Sequence, residues 1–258
     1  MVVADLHVHT TRSDGTLTLD SVPKAARRAG VEVVALTDHD RFDPSLDGAV
    51  TEREGVTIVR GIELRVDAGS QRVDLLGYGL DPTPALETLV TEIQRDRGER
   101  GRAIVDCVED RLGVTLDVEI RPGLGRPHVA RAIDESPADY DYQDAFDRLI
   151  GDDCPCYVAR EIPSFERSRE VLDGACGVVG LAHPLRYEDP EAALELTADL
   201  DAVERYYPYG RDADPTPVER AVETHDLLVT GGSDAHDERL GLAGLDRAAT
   251  GTFLTALR

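Results

Sequence analysis

Histidines and carboxylates recur at the points where predicted strands end. These residues are His7, His9, His39, Glu63, Asp74, His183, Asp234 and His236. Because the carboxyl ends of strands in a (β/α) barrel converge on one face, we expect these side chains to meet. Imidazole and carboxylate without thiolate form a ligand set for zinc, manganese or iron. The set exceeds what one tetrahedral ion can hold, so it predicts two or three divalent ions sharing a bridging carboxylate. Such clusters polarise phosphoryl groups and generate hydroxide from water near neutral pH.

A lone histidine is usually an ordinary surface or core residue, so the histidines must be judged together. Six of the seven lie in motif-like positions, which makes coincidence a poor explanation. The seventh, His225, ends a predicted helix, and we expect it to be exposed and non-catalytic. His7 and His9 lie two residues apart in a strand, so both should point inward. Asp234 and His236 repeat this geometry if their segment is extended.

Strands and helices that must position these residues alternate along much of the chain. Strands are predicted at residues 3–9, 31–37, 56–66, 71–79, 177–182, 202–206 and 227–230. Helices are predicted at 19–29, where Gly30 stops the helix, and at 165–175 and 217–224. This alternation favours an α/β protein with a parallel sheet or barrel.

The stretch from residue 84 to 160 has a different character, because it is charged, helical in pattern and without clear strands. We therefore expect residues 1–83 and 161–258 to form the metal-binding barrel. Residues 84–160 would be a helical insertion that contributes to the substrate pocket.

Six short motifs resemble those of the PHP family, named for polymerase and histidinol phosphatase. In chain order they are DLHVHT from Asp5, SDGT from Ser13, LTDHD from Leu36, GIE from Gly61, LAHP from Leu181 and GSDAH from Gly232. The resemblance runs nearly end to end. It implies a distorted (β/α)7 TIM-like barrel and a metal-dependent phosphoesterase. The segments 125–130 and 156–160 are most similar to the stand-alone branch that includes RNase AM and the nucleoside 3',5'-bisphosphate phosphatases.

The resemblance also implies how the ligands divide among ions. The first ion would be held by His7, His9, Glu63 and Asp234. The second would be held by Asp14, His39 and His236, and these two groups together are the expected catalytic residues. Glu63 would bridge to a third ion, held also by Asp74 and His183. Composition alone would make Asp14 a turn residue, because Asp-Gly is a common turn, and only the resemblance makes it a ligand.

Asp74 departs from the family, which usually has histidine at this position. Its neighbours Val73 and Leu75 are apolar, so Asp74 should point inward from its strand. A buried carboxylate is costly without a partner. We expect that partner to be a metal ion, with an arginine such as Arg72 as the alternative.

Several polar residues around the ligands have alternative roles. Asp5, Asp38 and Asp40 either accept hydrogen bonds from ligand imidazoles or cap strands and helices. Guanidinium binds phosphate in a bidentate manner, and the candidates for gripping substrate phosphate are Arg126, His128, Arg160 and Arg186. The alternative for the arginines is an ordinary surface position, since arginine is abundant here.

The predicted reaction is hydrolysis of a phosphomonoester or phosphodiester. We expect a small nucleotidic substrate, either a nucleoside 3',5'-bisphosphate or the 5' end of a short RNA, because the sequence shows no aromatic-rich basic groove for long single strands. One alternative is histidinol-phosphate phosphatase, which would need an acidic group to meet the substrate amine. Another is a non-catalytic metal-binding accessory domain. No protein partner is evident.

The chain carries a formal net charge of -23, and Lys24 is its only lysine. Carboxylates spread along the whole chain keep a protein hydrated at high salt, so we interpret the charge as adaptation of a halophile. No apolar run approaches the roughly 20 residues that span a bilayer. The opening residues do not resemble a signal peptide, and we expect a cytoplasmic protein without a membrane partner.

Cysteine chemistry is expected to be structural. The four cysteines are Cys107, Cys154, Cys156 and Cys176. A cytoplasmic chain of this length needs no disulfide framework, and one C-x-C pair is a weak zinc signal. We therefore expect structural thiols.

Salt dependence tests the halophile interpretation. Screening length shrinks to about 3 Å at 1 M salt, so repulsion among the surplus carboxylates should be relieved there. We expect the melting temperature to rise between low and molar potassium chloride. An unchanged melting temperature would contradict this interpretation.

Overall fold

The computed structural model describes residues 1–121 and 123–257. The chain divides into two compact units. The first joins Met1–Glu87 to Ile162–Arg258, and the second comprises Thr88–Glu161. None of the described helices is both long enough and apolar enough to span a membrane.

Eight strands of the described residues form one sheet in the first unit. They are β1 Ala4–Val8, β2 Val33–Leu36, β3 Val50–Arg53, β4 Val56–Asp67, β5 Arg72–Tyr78, β6 Val178–Leu181, β7 Ala202–Tyr206 and β8 Leu228–Gly231. The spatial order is β1-β2-β4-β5-β6-β7-β8, and β3 pairs with β4 beside this path. The sequence predicted every strand on the path but missed the short β3.

The sheet is mixed rather than parallel. Strands β1, β2 and β4 are parallel, as are β6, β7 and β8, but β5 is antiparallel to both of its neighbours. Only residues 68–71 connect β4 to β5, whereas a parallel crossover needs a dozen or more residues. The short connection therefore forces a hairpin, and at β5 the sheet departs from the parallel arrangement that the sequence favoured.

The sheet curls so that its two end strands approach each other. Val8 forms an isolated parallel bridge with Ala235, just beyond the end of β8. The N–H of His9 donates to the carbonyl of Ala235 at 2.9 Å, and the N–H of Ala235 donates to the carbonyl of His7 at 3.1 Å. The chain thus has a mixed α/β fold with a curled sheet. The pairing of Val8 with Ala235 brings segments near the two ends of the chain side by side.

Helices accompany the strands in both units. They are α1 Val22–Ala29, α2 Pro84–Leu112, α3 Arg126–Asp134, α4 Tyr142–Ala145, α5 Phe165–Asp173, α6 Pro190–Glu195, α7 Thr216–His225 and α8 Arg247–Ala256. Helix α1 shows how the sequence sets such bounds. Pro23 suits its first turn, and Gly30 ends it with a φ of 74°, a left-handed conformation that glycine adopts without strain.

Strand β1 is buried on both faces, which fixes its position in the first unit. Leu6 packs into one apolar cluster and Val8 into another. The polar residues His7 and His9 are fully buried with them. Burial on both faces is typical of parallel strands covered by other elements, and it leaves the two imidazoles no contact with bulk water.

The second unit has its own apolar core, formed by α2, α3, α4 and the π-helical turn Phe146–Ile150. A disulfide between Cys107 of α2 and Cys156 closes this unit. The expectation of four free thiols is therefore wrong for these two residues. The fold brings their Cα atoms to 5.6 Å, within the usual range for a disulfide. Cys154 and Cys176 remain free thiols.

Removing the disulfide should destabilise the second unit. The two cysteines lie 49 residues apart, and closing a loop of that length stabilises a fold by about 4 kcal/mol in the chain-entropy model. We expect Cys107→Ser to lower the free energy of unfolding by up to that amount, measured by urea denaturation.

Cys154→Ser is the matched control, because it removes a free thiol from the same unit and should change the free energy of unfolding little. A thiol titration of the denatured, unreduced protein should find two reactive thiols. Four reactive thiols in the wild-type protein would show that the disulfide does not form.

Candidate metal centre

Six strands and the loops that follow them carry the predicted ligands to one place. The ligands are His7 and His9 at the end of β1, His39 after β2, Glu63 in β4, Asp74 in β5, His183 after β6, and Asp234 and His236 after β8. Asp14 joins them from the loop that follows β1. Apart from Asp234, their side chains form three overlapping groups in which potential ligand atoms lie within 4.8 Å of one another. Asp234 lies beside His7 and His9.

The first group surrounds His7 and His9. The Nε2 atom of His7 lies 3.4 Å from Glu63 Oε2 and 3.5 Å from Asp234 Oδ1. The Nε2 atom of His9 lies 3.4 Å and 3.1 Å from the same two oxygens. Two imidazoles and two carboxylates therefore point their lone pairs into one small volume.

The second group is more open to solvent and consists of His9, Asp14, His39 and His236. The Nε2 atom of His236 lies 3.3 Å from Asp14 Oδ1, and that of His39 lies 3.9 Å from Asp14 Oδ2. Glu63 reaches this group as well, since its Oε2 lies 2.7 Å from His39 Nδ1. Glu63 thus lies between the two groups, which is the position of a bridging carboxylate.

The third group comprises Glu63, Asp74 and His183. The Nε2 atom of His183 lies 3.1 Å from Glu63 Oε1 and 3.7 Å from Asp74 Oδ2. Asp74 points inward as predicted from its neighbours, and it also accepts two hydrogen bonds from Arg65. The arginine partner is therefore Arg65 of β4, across the hairpin, and not the exposed Arg72.

Backbone geometry at two ligands is unusual. His183 has a φ of 27° and Asp234 a φ of 50°, conformations that non-glycine residues rarely adopt and that often mark functional sites. The segment around Asp234 is therefore not extended. Gly232 lets this segment approach β1, since a Cβ atom there would lie 2.3 Å from the backbone nitrogen of His7.

Several buried atoms in the first group make no hydrogen bond with any described residue. They are Nε2 of His7, both ring nitrogens of His9, and Oδ1 of Asp234. Buried polar atoms are nearly always hydrogen-bonded, so atoms that converge without bonding indicate a missing partner. A cation would satisfy the converging Nε2 atoms of His7 and His9 and the Asp234 oxygen together. The nitrogen and oxygen donors fit zinc, manganese or iron.

The pKa values of His39 and Asp234 in the ion-free protein are shifted by the charged groups packed around them. Burial disfavours the charged imidazole of His39, but the nearby Glu63 carboxylate outweighs it and raises the pKa of His39 to about 9. Burial also opposes ionisation of Asp234, yet the charge of His7 and a contact from His9 hold its pKa below the usual range. The carboxylates thus stay ionised, and His39 acts as their counter-ion until a metal ion binds.

Glu204 of β7 is the functional residue that the sequence analysis missed. Its carboxylate accepts a hydrogen bond from His7 Nδ1 at 3.1 Å and from the backbone N–H of His183 at 2.7 Å. The first contact directs Nε2 of His7 towards the other ligands, as carboxylates behind metal-binding histidines do. A glutamate that directly follows the apolar Ala202 and Val203 in a predicted strand was the signal that could have identified it.

Asp5 and Asp38 accept hydrogen bonds from loop residues, not from the imidazoles of the predicted ligands. Asp5 accepts hydrogen bonds from the N–H groups of Ser233 and Gly241, next to the ligands that follow β8. Asp38 accepts hydrogen bonds from Thr10 and Ser13, which fixes the loop that carries Asp14. Asp40 accepts a hydrogen bond from the N–H of Arg65.

Arg186 lies beside the metal centre. Its Nη1 lies 3.1 Å from Asp234 Oδ2 and 2.8 Å from the hydroxyl oxygen of Tyr207. The hydroxyl of Tyr207 also donates to Asp234 Oδ2 at 2.8 Å. About half of the arginine side chain remains exposed, so a ligand can reach it.

The other three predicted phosphate-binding residues belong to the second unit. Arg126 pairs with Asp152 at 2.9 Å. His128 accepts a hydrogen bond from the N–H of Gly125 through Nδ1, at the start of α3. Arg160 is half-buried. Their role in binding substrate stays a prediction.

Comparison with known proteins matches these features to one family. The PHP domain model matches residues 5–195, and the chain therefore belongs to the PHP domain family. A 3',5'-nucleoside bisphosphate phosphatase from Chromobacterium violaceum is 32% identical over 215 residues, covering 78% of this chain and 74% of the relative. A 5'-3' exoribonuclease from Haemophilus influenzae is 28% identical over 190 residues, covering 71% of this chain and 69% of the relative.

The fold has close counterparts among solved structures. A protein from Bifidobacterium adolescentis superposes with a TM-score of 0.82 at 24% identity, over 99% of this chain and 96% of its own. Family, fold and relatives agree with the donor set at the strand ends. The chain is a metal-dependent phosphoesterase.

Metal binding should displace a proton from His39. Because the pKa of His39 is raised to about 9 in the ion-free protein, its imidazole is protonated at pH 7 and must lose that proton to act as a ligand. We expect manganese titration at pH 7 to release about one proton more per chain from the wild-type protein than from His39→Gln. Calorimetry in two buffers of different ionisation enthalpy measures the difference.

The exposed His225 provides the control, since His225→Gln should release as many protons as the wild-type protein. Equal proton release from the wild-type protein and His39→Gln would contradict the assignment of His39.

Proposed function

We propose that this phosphoesterase hydrolyses nucleoside 3',5'-bisphosphates, or acts at the 5' end of short RNAs. The observation that carries the proposal is the set of buried, unbonded nitrogen and oxygen atoms of His7, His9 and Asp234. The names of the two relatives supply the substrate class. A phosphate ester is the substrate that such a cluster of cations suits best.

Two or three divalent ions would be held by the three ligand groups, with manganese, zinc and iron as the candidates. Bound ions of this kind polarise a phosphoryl group and lower the pKa of water. The first ion would lie among His7, His9, Glu63 and Asp234. The second would lie among Asp14, His39 and His236.

Side chains around these groups keep the ligands in place. Glu204 fixes the ring of His7, which is buried with it. Tyr207 and Arg186 hold one oxygen of Asp234, so its other oxygen faces His7 and His9. Arg186 would bind an oxygen of the transferred phosphate, because the exposed part of its guanidinium offers further donors.

Arg126, His128 and Arg160 would bind the second phosphate of a bisphosphate. Hydrogen bonds to charged groups are worth about 1.5–3 kcal/mol, so losing one should lower kcat/KM by roughly tenfold or more. Histidinol phosphate has no second phosphate, and a site that binds two phosphates should disfavour it.

A phosphate-release assay at high salt with full metal loading compares the two substrates. We expect kcat/KM for a nucleoside 3',5'-bisphosphate to exceed that for histidinol phosphate by at least about tenfold. Arg160→Gln should reduce the bisphosphate value and leave the histidinol phosphate value unchanged.

Arg148→Gln is the matched control, because Arg148 is an exposed arginine of the same unit that was not predicted to bind substrate. Equal or reversed values for the two substrates in the wild-type protein would favour histidinol-phosphate phosphatase. Failure to hydrolyse either substrate or a short 5'-phosphorylated RNA, with ions bound, would favour a non-catalytic metal-binding domain.

Several finer predictions accompany this proposal. The curled sheet is proposed to be the distorted (β/α)7 TIM-like barrel of the family. Residues 84–160 are proposed to act as the helical insertion that binds substrate. Salt adaptation and a cytoplasmic location stay predictions from the sequence.

A further inference from the structure

Arg65 and Asp74 form a cross-strand pair at the edge of the metal centre. They are direct partners in the antiparallel register of β4 and β5. Arg65 Nε lies 2.5 Å from Asp74 Oδ1, and Nη2 lies 2.7 Å from Oδ2. Asp74 is 1% exposed, whereas the Arg65 side chain is 42% exposed. The pair therefore has a buried anionic end and an accessible cationic end.

This pairing uses both oxygens of the carboxylate that the third ligand group needs. Bidentate contacts between guanidinium and carboxylate are strong, charge-assisted hydrogen bonds. An ion bound between Asp74 and His183 would have to share these oxygens with a fixed positive charge. Because guanidinium cannot lose its proton in proteins, Arg65 cannot relieve that repulsion by becoming neutral.

Charge balance also disfavours a third ion. Five carboxylates surround the centre, those of the ligands Asp14, Glu63, Asp74 and Asp234 and that of Glu204, which contacts His7. Two divalent ions together with the guanidiniums of Arg65 and Arg186 already outweigh these five negative charges. A third divalent ion would add two more charges in a largely buried site, where unbalanced charge is costly.

The guanidinium has donors left after binding Asp74. Among residues 1–121 and 123–257, the Nη1 atom of Arg65 has no hydrogen-bond partner, while Nε and Nη2 both donate to Asp74. Planar guanidinium recognises phosphate through such an edge. Asp74 fixes the orientation of this edge, which reduces the loss of side-chain entropy when an anion binds.

We propose that Arg65 takes the place of a third metal ion: it neutralises Asp74 and binds a phosphoryl oxygen of the substrate through its remaining N–H groups. The proposal rests on the proposed phosphoesterase function. It makes the centre a site for two ions and one guanidinium, and it assigns a phosphate-binding role to a residue outside the family motifs.

Metal stoichiometry is the first test, measured by elemental analysis after dialysis against manganese. We expect two ions per chain in the wild-type protein. Arg65→Gln should bind three, because Asp74 is released to act as a ligand. Arg72→Gln, an exposed arginine on the same hairpin, should stay at two. Three ions in the wild-type protein, or only two in Arg65→Gln, would overturn the proposal.

Binding of inorganic phosphate to the metal-loaded protein is the second test. The double variant Arg65→Gln/Asp74→Asn removes both charges of the pair. It therefore leaves no buried unpaired charge and no carboxylate at position 74 that could bind a third ion. We expect it to fold, to keep two ions and to bind phosphate at least about tenfold more weakly than the wild-type protein. Wild-type phosphate affinity in this variant would overturn the proposal.

The two proposals fail in different ways. If the wild-type protein binds three ions and hydrolyses phosphate esters, only the role of Arg65 is wrong. If it binds ions but hydrolyses no phosphate ester, the proposed function is wrong.

Discussion

Repulsion among closely packed, ionised side chains is the constraint on which this structure depends. Four carboxylates and several imidazoles meet at the strand ends, and His7, His9 and Glu63 are almost completely buried there. Removing such charges from water costs several kcal/mol per ion unless partners balance them. The protein alone supplies part of that balance, through protonated His39 and through Arg65. The remaining unbonded nitrogen and oxygen atoms of His7, His9 and Asp234 are those that metal ions would bind.

The rest of the fold holds this costly arrangement in place. Strand β1 is buried on both faces, so His7 and His9 cannot turn towards solvent. Asp5 connects the start of β1 to the segment after β8, and Glu204 connects β7 to both β1 and β6. Each buried carboxylate thus joins elements that are distant in sequence. Such preorganisation reduces the rearrangement that ion binding would otherwise require.

Much of the centre could be predicted from sequence because its ligands lie in short local motifs at strand ends. Alternation places His7 and His9 on one face, and the apolar neighbours of Asp74 place it inward. The partners of these residues are harder to predict. Glu204 and Arg65 reach them only because of the way the strands pair in the sheet, which the sequence does not state. The disulfide depends in the same way on how α2 packs against residue 156. The antiparallel β5 could have been predicted, because residues 68–71 are too few for a parallel crossover.

Anomalous diffraction from crystals loaded with manganese tests the central claim most directly, that the buried donors at the strand ends exist to hold bridged metal ions. The account predicts two peaks about 3.5–4 Å apart, one among His7, His9, Glu63 and Asp234, the other among Asp14, His39 and His236, with Glu63 between them. A single peak, or peaks that lie away from these side chains, would contradict it.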